Sequence, residues 1–163
     1  MEIIKAELGM LPEIEEIYAG ARRFMRETGN LEQWGNSYPG REILEEDIAD
    51  SRLYSCVDDG KVIAVFYYKF GEDPTYREIF SGAWKNDLPY AVIHRVAVGD
   101  SARGKGVIGA IFDFASKKCP NLKIDTHKDN IPMQKALAKH GFEYCGIIKL
   151  ANGDPRLAFQ RTR

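Results

Sequence analysis

Apolar residues recur along the chain at two alternating spacings, which predict a mixed α/β domain. A spacing of three to four residues, typical of a helix with one buried face, predicts four helices. A spacing of two, or an unbroken apolar run, predicts strands, and Asp58-Asp59-Gly60 is a strong hairpin signal between two of them. The expected helices cover residues 11 to 27, a segment carrying Ile43, Leu44 and Ile48, residues 107 to 118, and residues 130 to 140. The expected strands cover residues 2 to 8, 53 to 57, 62 to 70, 90 to 98, 122 to 126, 142 to 150 and 156 to 161.

The strand over residues 90 to 98 is apolar on both faces, which is typical of a strand in the centre of a sheet. Segments 29 to 40 and 71 to 89 carry aromatic and charged residues without a regular period, and we interpret both as loops. No repeat, low-complexity tract or linker divides the sequence. We therefore expect one domain over residues 1 to 163.

Composition narrows the classes of function. Charged residues make up 29% of the chain, but 23 basic and 24 acidic residues nearly cancel, so no overall field favours nucleic acid or an anionic membrane. The sequence also lacks the basic, aromatic stripe of a nucleic-acid-binding surface. It shows neither a signal peptide nor a membrane-spanning run, so a cytoplasmic protein is expected. The widely spaced Cys56, Cys119 and Cys145 favour reduced structural thiols, and no metal is expected.

A glycine-rich turn between the predicted central strand and the next helix is the first candidate site. Gly104 and Gly106 allow a ligand to approach the backbone closely, and the free N–H groups at a helix N-terminus suit phosphate oxygens. Lys105 adds positive charge. The turn lacks the Gly-Lys-Ser or Gly-Lys-Thr ending of a nucleotide P-loop and the context of a dinucleotide fingerprint. By itself it indicates either an anion-binding turn or only a tight reversal of the chain.

The turn resembles the pyrophosphate motif of the GNAT acetyltransferase superfamily, Arg/Gln-x-x-Gly-x-Gly/Ala after a Val-x-Val-like strand. Arg103 to Gly106 match this motif, whereas Ile108 stands where Gly or Ala is usual and Gly109 follows one place later. The resemblance implies that backbone amides from residues 103 to 109 hold the pyrophosphate of acetyl-CoA. It also implies that backbone groups of Val96 and Val98 pair with the pantetheine arm.

A second segment, Asn130 to Phe142, is similar to the same family's Asn-x-x-Ala/Met, seven-residue spacer, Gly-Phe signature. Asn130 fits the N-cap of the helix that follows, and the resemblance adds a compatible contact from its amide to the CoA arm. The two motifs imply a GNAT-like acyl-CoA-binding fold with a mostly antiparallel central sheet of about seven strands and about four helices. The cofactor-binding residues that they imply are Val96, Ala97, Val98, Arg103, Gly104, Lys105, Gly106, Val107, Ile108, Gly109 and Asn130.

Acyl transfer from a thioester to an amine needs a neutral amine, a polarised thioester carbonyl and a proton for the leaving thiolate. The resemblance implies that a backbone N–H near Val96 and Ala97 faces the thioester oxygen. Many family members carry a proton-donating Tyr seven residues after the motif Asn, a position that Leu137 occupies here. Tyr144, Tyr90, a water, or direct passage of the proton from the attacking ammonium remain as alternatives.

His94 is the candidate catalytic base, because it lies in the predicted central strand and an imidazole suits proton transfer near neutral pH. The alternatives are a buried, hydrogen-bonded histidine with a structural role and a histidine on the sheet face away from the cleft. Glu72 and Glu78, acting through water, are alternative bases in the segment before this strand. His127 and His140 are assigned to a strand end and a helix surface.

We expect the two loops to recognise the acceptor, because loops at the strand ends of a rigid sheet usually carry specificity. Their aromatic side chains either contact the acceptor or anchor the loops to the core; they are Trp34, Tyr38, Tyr76 and Trp84. The resemblance implies transfer of an acetyl group from acetyl-CoA to a primary amine of a small molecule, peptide or protein, by direct attack in a ternary complex. The alternative is a non-catalytic acyl-CoA-binding module or sensor on the same fold. The sequence leaves open whether the chain forms a homodimer.

Overall fold

The computed structural model describes residues 1 to 162, which form seven strands and four α-helices. The strands are β1 (Glu2–Lys5), β2 (Leu53–Asp58), β3 (Lys61–Phe70), β4 (Ala91–Val98), β5 (Leu122–Thr126), β6 (Glu143–Lys149) and β7 (Pro155–Arg161). The helices are α1 (Leu11–Glu27), α2 (Arg41–Ala49), α3 (Val107–Lys118) and α4 (Ile131–Lys139). The mixed α/β class and the order of elements are confirmed. The first strand is shorter than predicted, because residues Leu8–Met10 form a 3-10 turn that leads directly into α1.

The strands form one sheet in the order β1-β2-β3-β4-β5-β7-β6, in which only β4 and β5 are parallel. The mostly antiparallel sheet and the central position of β4 are therefore confirmed. The predicted hairpin joins β2 to β3 through Asp59 and Gly60, both with positive φ (49° and 74°). Two positive φ values at these positions match the twist of the flanking strands.

Helices and one long connection cover the two faces of the sheet. One face carries α3 and α4, which bury Ile111, Phe112 and Leu137 against the strands. On the other face, α1 and α2 cover one half of the sheet with a cluster that includes Ile14 and Tyr18. The segment 71 to 89 covers the second half through a smaller cluster around Tyr76, Val92, Ile148 and Ala158. None of the helices within residues 1–162 has the length and apolar character needed to cross a membrane.

Strands β4 and β5 separate soon after they begin, and this separation creates the cleft of the molecule. They pair only at Ala91 with Leu122 and at Val92 with Lys123. Further along, β4 contains a bulge at Arg95, which has a φ of 52° and shifts the register with β3. The second half of β4 therefore has no pairing with β5, and its edge is open to a ligand.

Candidate active site

A groove of about 290 Å³ lies between the end of β4, the glycine-rich turn and the N-terminal half of α4. Every predicted cofactor-binding residue except Lys105, which is exposed, lines this groove. The lining members of that set are Val96, Ala97, Val98, Arg103, Gly104, Gly106, Val107, Ile108, Gly109 and Asn130. The fold thus brings the two sequence motifs together at one surface. We call this surface the donor groove.

The glycine-rich turn has the backbone geometry of an anion-binding site. Gly104 and Gly106 have φ values of 79° and 80°, a region that residues with a Cβ rarely adopt. Gly106 is the N-cap of α3 and has no side chain that could bond the first N–H groups of the helix. These N–H groups, at the positive end of the helix dipole, suit the oxygens of a pyrophosphate.

The Arg103 side chain braces this turn. Its guanidinium donates to Asp100 Oδ1 at 2.8 Å and to the Val98 carbonyl at 3.1 Å. The same group lies 3.9 Å from the centre of the Phe24 ring in α1. The arginine of the motif therefore holds the end of β4, the turn and α1 together.

Packing explains why Gly109 follows one place after the usual motif position. A Cβ at Gly109 would lie 2.6 Å from His140 Cε1, so a larger residue there would require this ring to move away from the α3 backbone. His140 is the C-cap of α4, is half-buried and packs edge-on against Phe112. Its predicted place on a helix surface is therefore wrong, because the ring fills the contact between α3 and α4.

Asn130 caps α4, as predicted, with Oδ1 accepting from the Met133 N–H at 3.2 Å. Its Nδ2 donates to Gln33 Oε1 at 2.9 Å, and Asn30 Nδ2 donates to the same oxygen at 2.8 Å. These amide contacts tie the loop between α1 and α2 to the start of α4.

A second cavity, of about 560 Å³, lies on the other side of the opening between β4 and β5. We call it the acceptor cavity. It shares four lining residues with the donor groove: Met25, Val96, Asn130 and Met133. Trp34 and Tyr38 from the loop between α1 and α2 line it, together with polar side chains of β4, β5 and β7. The two cavities therefore meet at the bulge of β4.

His94 lies in the acceptor cavity between two carboxylates. Its Nε2 is 2.7 Å from Asp73 Oδ2, and its Nδ1 is 3.7 Å from Asp125 Oδ2. Asp73 Oδ1 accepts from the N–H and the hydroxyl of Thr75, and Asp125 Oδ2 accepts from the Tyr76 hydroxyl at 2.6 Å. A neutral His94 thus carries its proton on Nε2, because Asp73 is the close acceptor. Nδ1 then keeps a lone pair on the side of Asp125.

The surroundings shift the pKa values of Asp73 and Tyr76. Burial by itself raises the pKa of Asp73, but the hydrogen bond and charge of His94, with two hydrogen bonds from Thr75, outweigh it and lower that pKa. Burial raises the pKa of Tyr76 well above its usual value, and the Asp125 carboxylate raises it further. Asp73 is therefore ionised, and Tyr76 remains a hydrogen-bond donor.

Two helices hold the bulge of β4 through Arg95. The Arg95 carbonyl accepts from the Tyr18 hydroxyl of α1 at 2.7 Å. The Arg95 guanidinium pairs with Asp47 of α2 at 2.8 Å and donates to the Tyr38 hydroxyl at 3.1 Å. It also lies 4.5 Å from the centre of the Tyr67 ring. The bulge is thus fixed at the point where the two cavities meet.

Several residues named from the sequence lie outside both cavities. Glu72 pairs with Arg77 at the surface at 2.6 Å, and Glu78 is exposed. Tyr144 is exposed on β6, and the Tyr90 hydroxyl accepts from the Asp73 N–H at 3.0 Å. Among Tyr38, Tyr90 and Tyr144, Tyr38 is the one that lines the acceptor cavity.

The aromatic loop residues divide into two pairs. Trp34 and Tyr38 line the acceptor cavity, whereas Tyr76 is fully buried beneath it and orients Asp125. Trp84 donates its indole N–H to the Tyr76 carbonyl at 2.9 Å and so anchors the segment 71 to 89.

The sequence pattern did not identify Asp73, Asp125 or Arg95 as site residues. Asp73-Pro-Thr75 is a local capping pattern, which predicts a turn but not a contact with His94. Asp125 is a charged residue in a strand that is otherwise buried, and a charge in such a position indicates a functional role. Residues 1–162 contain no group of His, Cys, Asp and Glu that could hold a metal ion.

Residues 11–142 match the sequence model of the Acetyltransferase (GNAT) family. Since this match covers most of the chain, the protein belongs to the GNAT acetyltransferase family. No curated protein sequence matches the chain.

Solved structures share the fold over nearly the whole chain. A GNAT-family acetyltransferase from Streptococcus agalactiae 2603 is 28% identical with a TM-score of 0.90, over 99% of this chain and 95% of that one. A putative acetyltransferase from Staphylococcus aureus MU50 is 22% identical with a TM-score of 0.71, over 99% of both chains. The GNAT-like decarboxylase GphF, solved with isobutyryl-CoA, is 13% identical with a TM-score of 0.65, over 99% of both chains.

Proposed function

We propose that this protein transfers an acetyl group from acetyl-CoA to a primary amine, by direct attack of the amine in a ternary complex. The observation that carries the proposal is the junction of two cavities at Val96 and Asn130. One cavity has an uncapped helix N-terminus, and the other has an imidazole between two carboxylates. Membership of the GNAT family supports an acyl-CoA as the donor.

The residues of the donor groove fit acetyl-CoA. The first turn of α3 offers N–H groups for the pyrophosphate, and the open edge of β4 from Val96 to Val98 offers backbone groups for the pantetheine arm. When bound, acetyl-CoA supplies the activated acyl group. A backbone N–H near Val96 and Ala97 stabilises the negative charge that develops on the thioester oxygen.

The acceptor cavity holds and deprotonates the amine. Asp125 attracts the ammonium, and Nδ1 of His94 accepts one proton from it while Asp73 fixes the imidazole through Nε2. As the new C–N bond forms, the C–S bond breaks, and a second proton of the nitrogen is transferred to the leaving sulfur. The products are the acetylated amine and the free thiol, and His94 returns its proton to solvent.

The test is a thiol-release assay over a panel of primary amines. His94→Ala should lower kcat by roughly 10²- to 10⁴-fold, the usual contribution of a positioned base, while acetyl-CoA still raises the melting temperature. His127→Ala is the matched control, since this buried histidine lines neither the donor groove nor the acceptor cavity. A His94→Ala enzyme with nearly normal rates across pH removes His94 from the mechanism.

The second candidate is a non-catalytic acyl-CoA-binding module. Leu137 favours it, because this residue replaces the proton-donating tyrosine of many relatives and is fully buried in the core. Acetyl-CoA would then raise the melting temperature while no amine releases thiol. If no CoA thioester binds, both candidates fail.

A further inference from the structure

Arg156, the second residue of β7, is a buried cation with no carboxylate partner among residues 1–162. Only 7% of the residue is exposed. Its one hydrogen bond within residues 1–162 runs from Nη1 to the Pro155 carbonyl at 2.9 Å, and no carboxylate of these residues lies within 4.0 Å of its guanidinium. Since burial of an unpaired charge is costly, such an arginine indicates a ligand that carries the missing anion.

Arg156 lines the acceptor cavity and does not line the donor groove. The phosphates of a CoA donor in that groove are therefore not its counter-charge. Glu32 and Asp154 also line the acceptor cavity, but both are exposed and neither forms an ion pair with Arg156. Burial and, after it, the positive charge of Arg156 lower the pKa of the neighbouring His127.

The pairing of β5 with β7 places Arg156 on the same face of the sheet as Asp125. Asp125 lies opposite Ala158, and Arg156 precedes Ala158 by two residues, so the three side chains share one face. Asp125 and Arg156 are thus diagonal neighbours on adjacent strands, a relation in which the two Cα atoms are typically about 7–8 Å apart. They make no ion pair with each other, and both line the acceptor cavity, so a small ligand in that cavity can contact the carboxylate and the guanidinium together.

We propose that Arg156 binds a carboxylate of the acceptor, so that the acceptor is a small amino acid with its amine at His94 and Asp125 and its carboxylate on Arg156. The planar guanidinium matches a carboxylate with two parallel hydrogen bonds, and its Nε and Nη2 make none with residues 1–162. An amino acid carries an ammonium for Asp125 and a carboxylate for Arg156 a few bonds apart, which suits the spacing of these two residues. This inference rests on the proposed acetyl transfer.

The test compares the common protein amino acids with their carboxamides and with the corresponding decarboxylated amines, by thiol release at fixed acetyl-CoA. The wild type should show a kcat/KM at least about 30-fold higher for the best acid than for its carboxamide, the usual effect of removing one partner of a buried charge pair. The preference should appear mainly in KM. Carboxamides or simple amines that react as well as the acids overturn the inference.

Variants of Arg156 supply the second readout. Arg156→Met should lower the ratio of acid to carboxamide kcat/KM by about 30-fold, and Arg156→Lys should retain part of the preference. Lys128→Met is the control, since this exposed cation neighbours Arg156 in an adjacent cavity and does not line the acceptor cavity. An equal loss for acid and carboxamide in Arg156→Met overturns the inference.

The panel also separates the two proposals. If no acid, carboxamide or amine releases thiol, the acetyl transfer itself fails and this inference falls with it. If amines or carboxamides react and acids do not, only the role of Arg156 fails. Should Arg156→Met not fold, the wild-type panel and Arg156→Lys still decide the question.

Discussion

The His94 imidazole lies between two carboxylates that already have other partners. Asp73 accepts from Thr75 and holds Nε2, whereas Asp125 accepts from Tyr76 and faces Nδ1 at 3.7 Å. Because this longer distance is not a hydrogen bond, Nδ1 is the nitrogen able to accept a proton from a ligand. In the proposed mechanism, Asp73 therefore acts through His94 as a positioning residue, and Asp125 is the candidate to contact the ammonium.

Asp73→Asn should reduce kcat by about 10- to 100-fold, less than His94→Ala, because the amide still accepts from Nε2 but carries no charge. Steady-state thiol release measures this loss. The KM for acetyl-CoA should stay close to the wild-type value, since Asp73 does not line the donor groove. A large change in that KM contradicts a role confined to the acceptor cavity.

The lowered pKa of Asp73 also predicts how stability depends on pH. A carboxyl whose pKa is lower in the folded state stabilises the protein above its unfolded pKa of about 3.9, and this contribution is lost as the pH falls through the folded pKa. The difference in unfolding free energy between wild type and Asp73→Asn should therefore shrink as the pH falls below about 4 toward the folded pKa. Urea denaturation at each pH measures it. In a His94→Gln background the pH dependence should be weaker, because His94 lowers the Asp73 pKa; an unchanged dependence contradicts the pairing.

At the scale of elements, the segment 71 to 89 is an ordered extension of the sheet although its sequence lacks a regular period. Phe80 and Ile147 exchange two backbone hydrogen bonds of 2.8 Å, and the Ala83 N–H donates to the Cys145 carbonyl at 2.9 Å. This bridge along β6 holds the segment that carries Asp73 and Tyr76 beneath the acceptor cavity. The docking of segment 71 to 89 onto β6 thus sets the position of Asp73 beside His94 of β4.

Gly82→Ala tests this docking. A Cβ at this position would lie 1.9 Å from the Cys145 carbonyl oxygen, so the two backbones must separate. We expect a loss of about 1–3 kcal/mol in the free energy of unfolding, the usual cost of overpacking, and a fall in kcat as Asp73 shifts. Urea denaturation and thiol release measure the two effects. Gly9→Ala, where a Cβ meets nothing within 4 Å, should change neither, and a Gly82→Ala protein of normal stability contradicts the docking.

At the scale of the whole molecule, the separation of β4 from β5 brings the donor groove and the acceptor cavity together. The parallel pair ends after Val92 and Lys123, and the widening gap holds the donor groove on one side and the acceptor cavity on the other. Val96, Asn130 and Met133 belong to both surfaces. Two ligands bound at once would meet there, which is the requirement of direct transfer in a ternary complex.

Binding of acetyl-CoA should therefore stabilise the whole domain. At a concentration of 100 times Kd the gain is about 2.7 kcal/mol, which for a chain of this size raises Tm by about 5–10 °C. Gly106→Ala should reduce the rise, because a Cβ at a φ of 80° strains the turn before α3. Differential scanning fluorimetry measures both.

Gly60→Ala is the matched control for this prediction. Gly60 has a similar φ of 74° but lies in the hairpin between β2 and β3, so the variant should lose stability and keep the full response to acetyl-CoA. Equal responses of the two variants contradict binding at the turn.

The sequence by itself determined the features that depend on neighbouring residues. Helix and strand positions followed from apolar spacing, the β2–β3 turn from Asp59-Gly60, and the cap of α4 from Asn130. Each is a local property, because the residues that produce it lie only a few positions apart in the sequence. The glycine-rich turn and the Asn130 segment were also recognisable, since their residue order alone carries the family resemblance.

Only the tertiary structure decided which distant side chains meet. Asp73 and Asp125 flank His94 because the segment 71 to 89 docks on β6 and because β5 runs beside the start of β4. Arg156 joins their face of the sheet through the register of β5 with β7. Strand order, register and loop docking arise from contacts far apart in the chain, and local patterns do not encode those contacts.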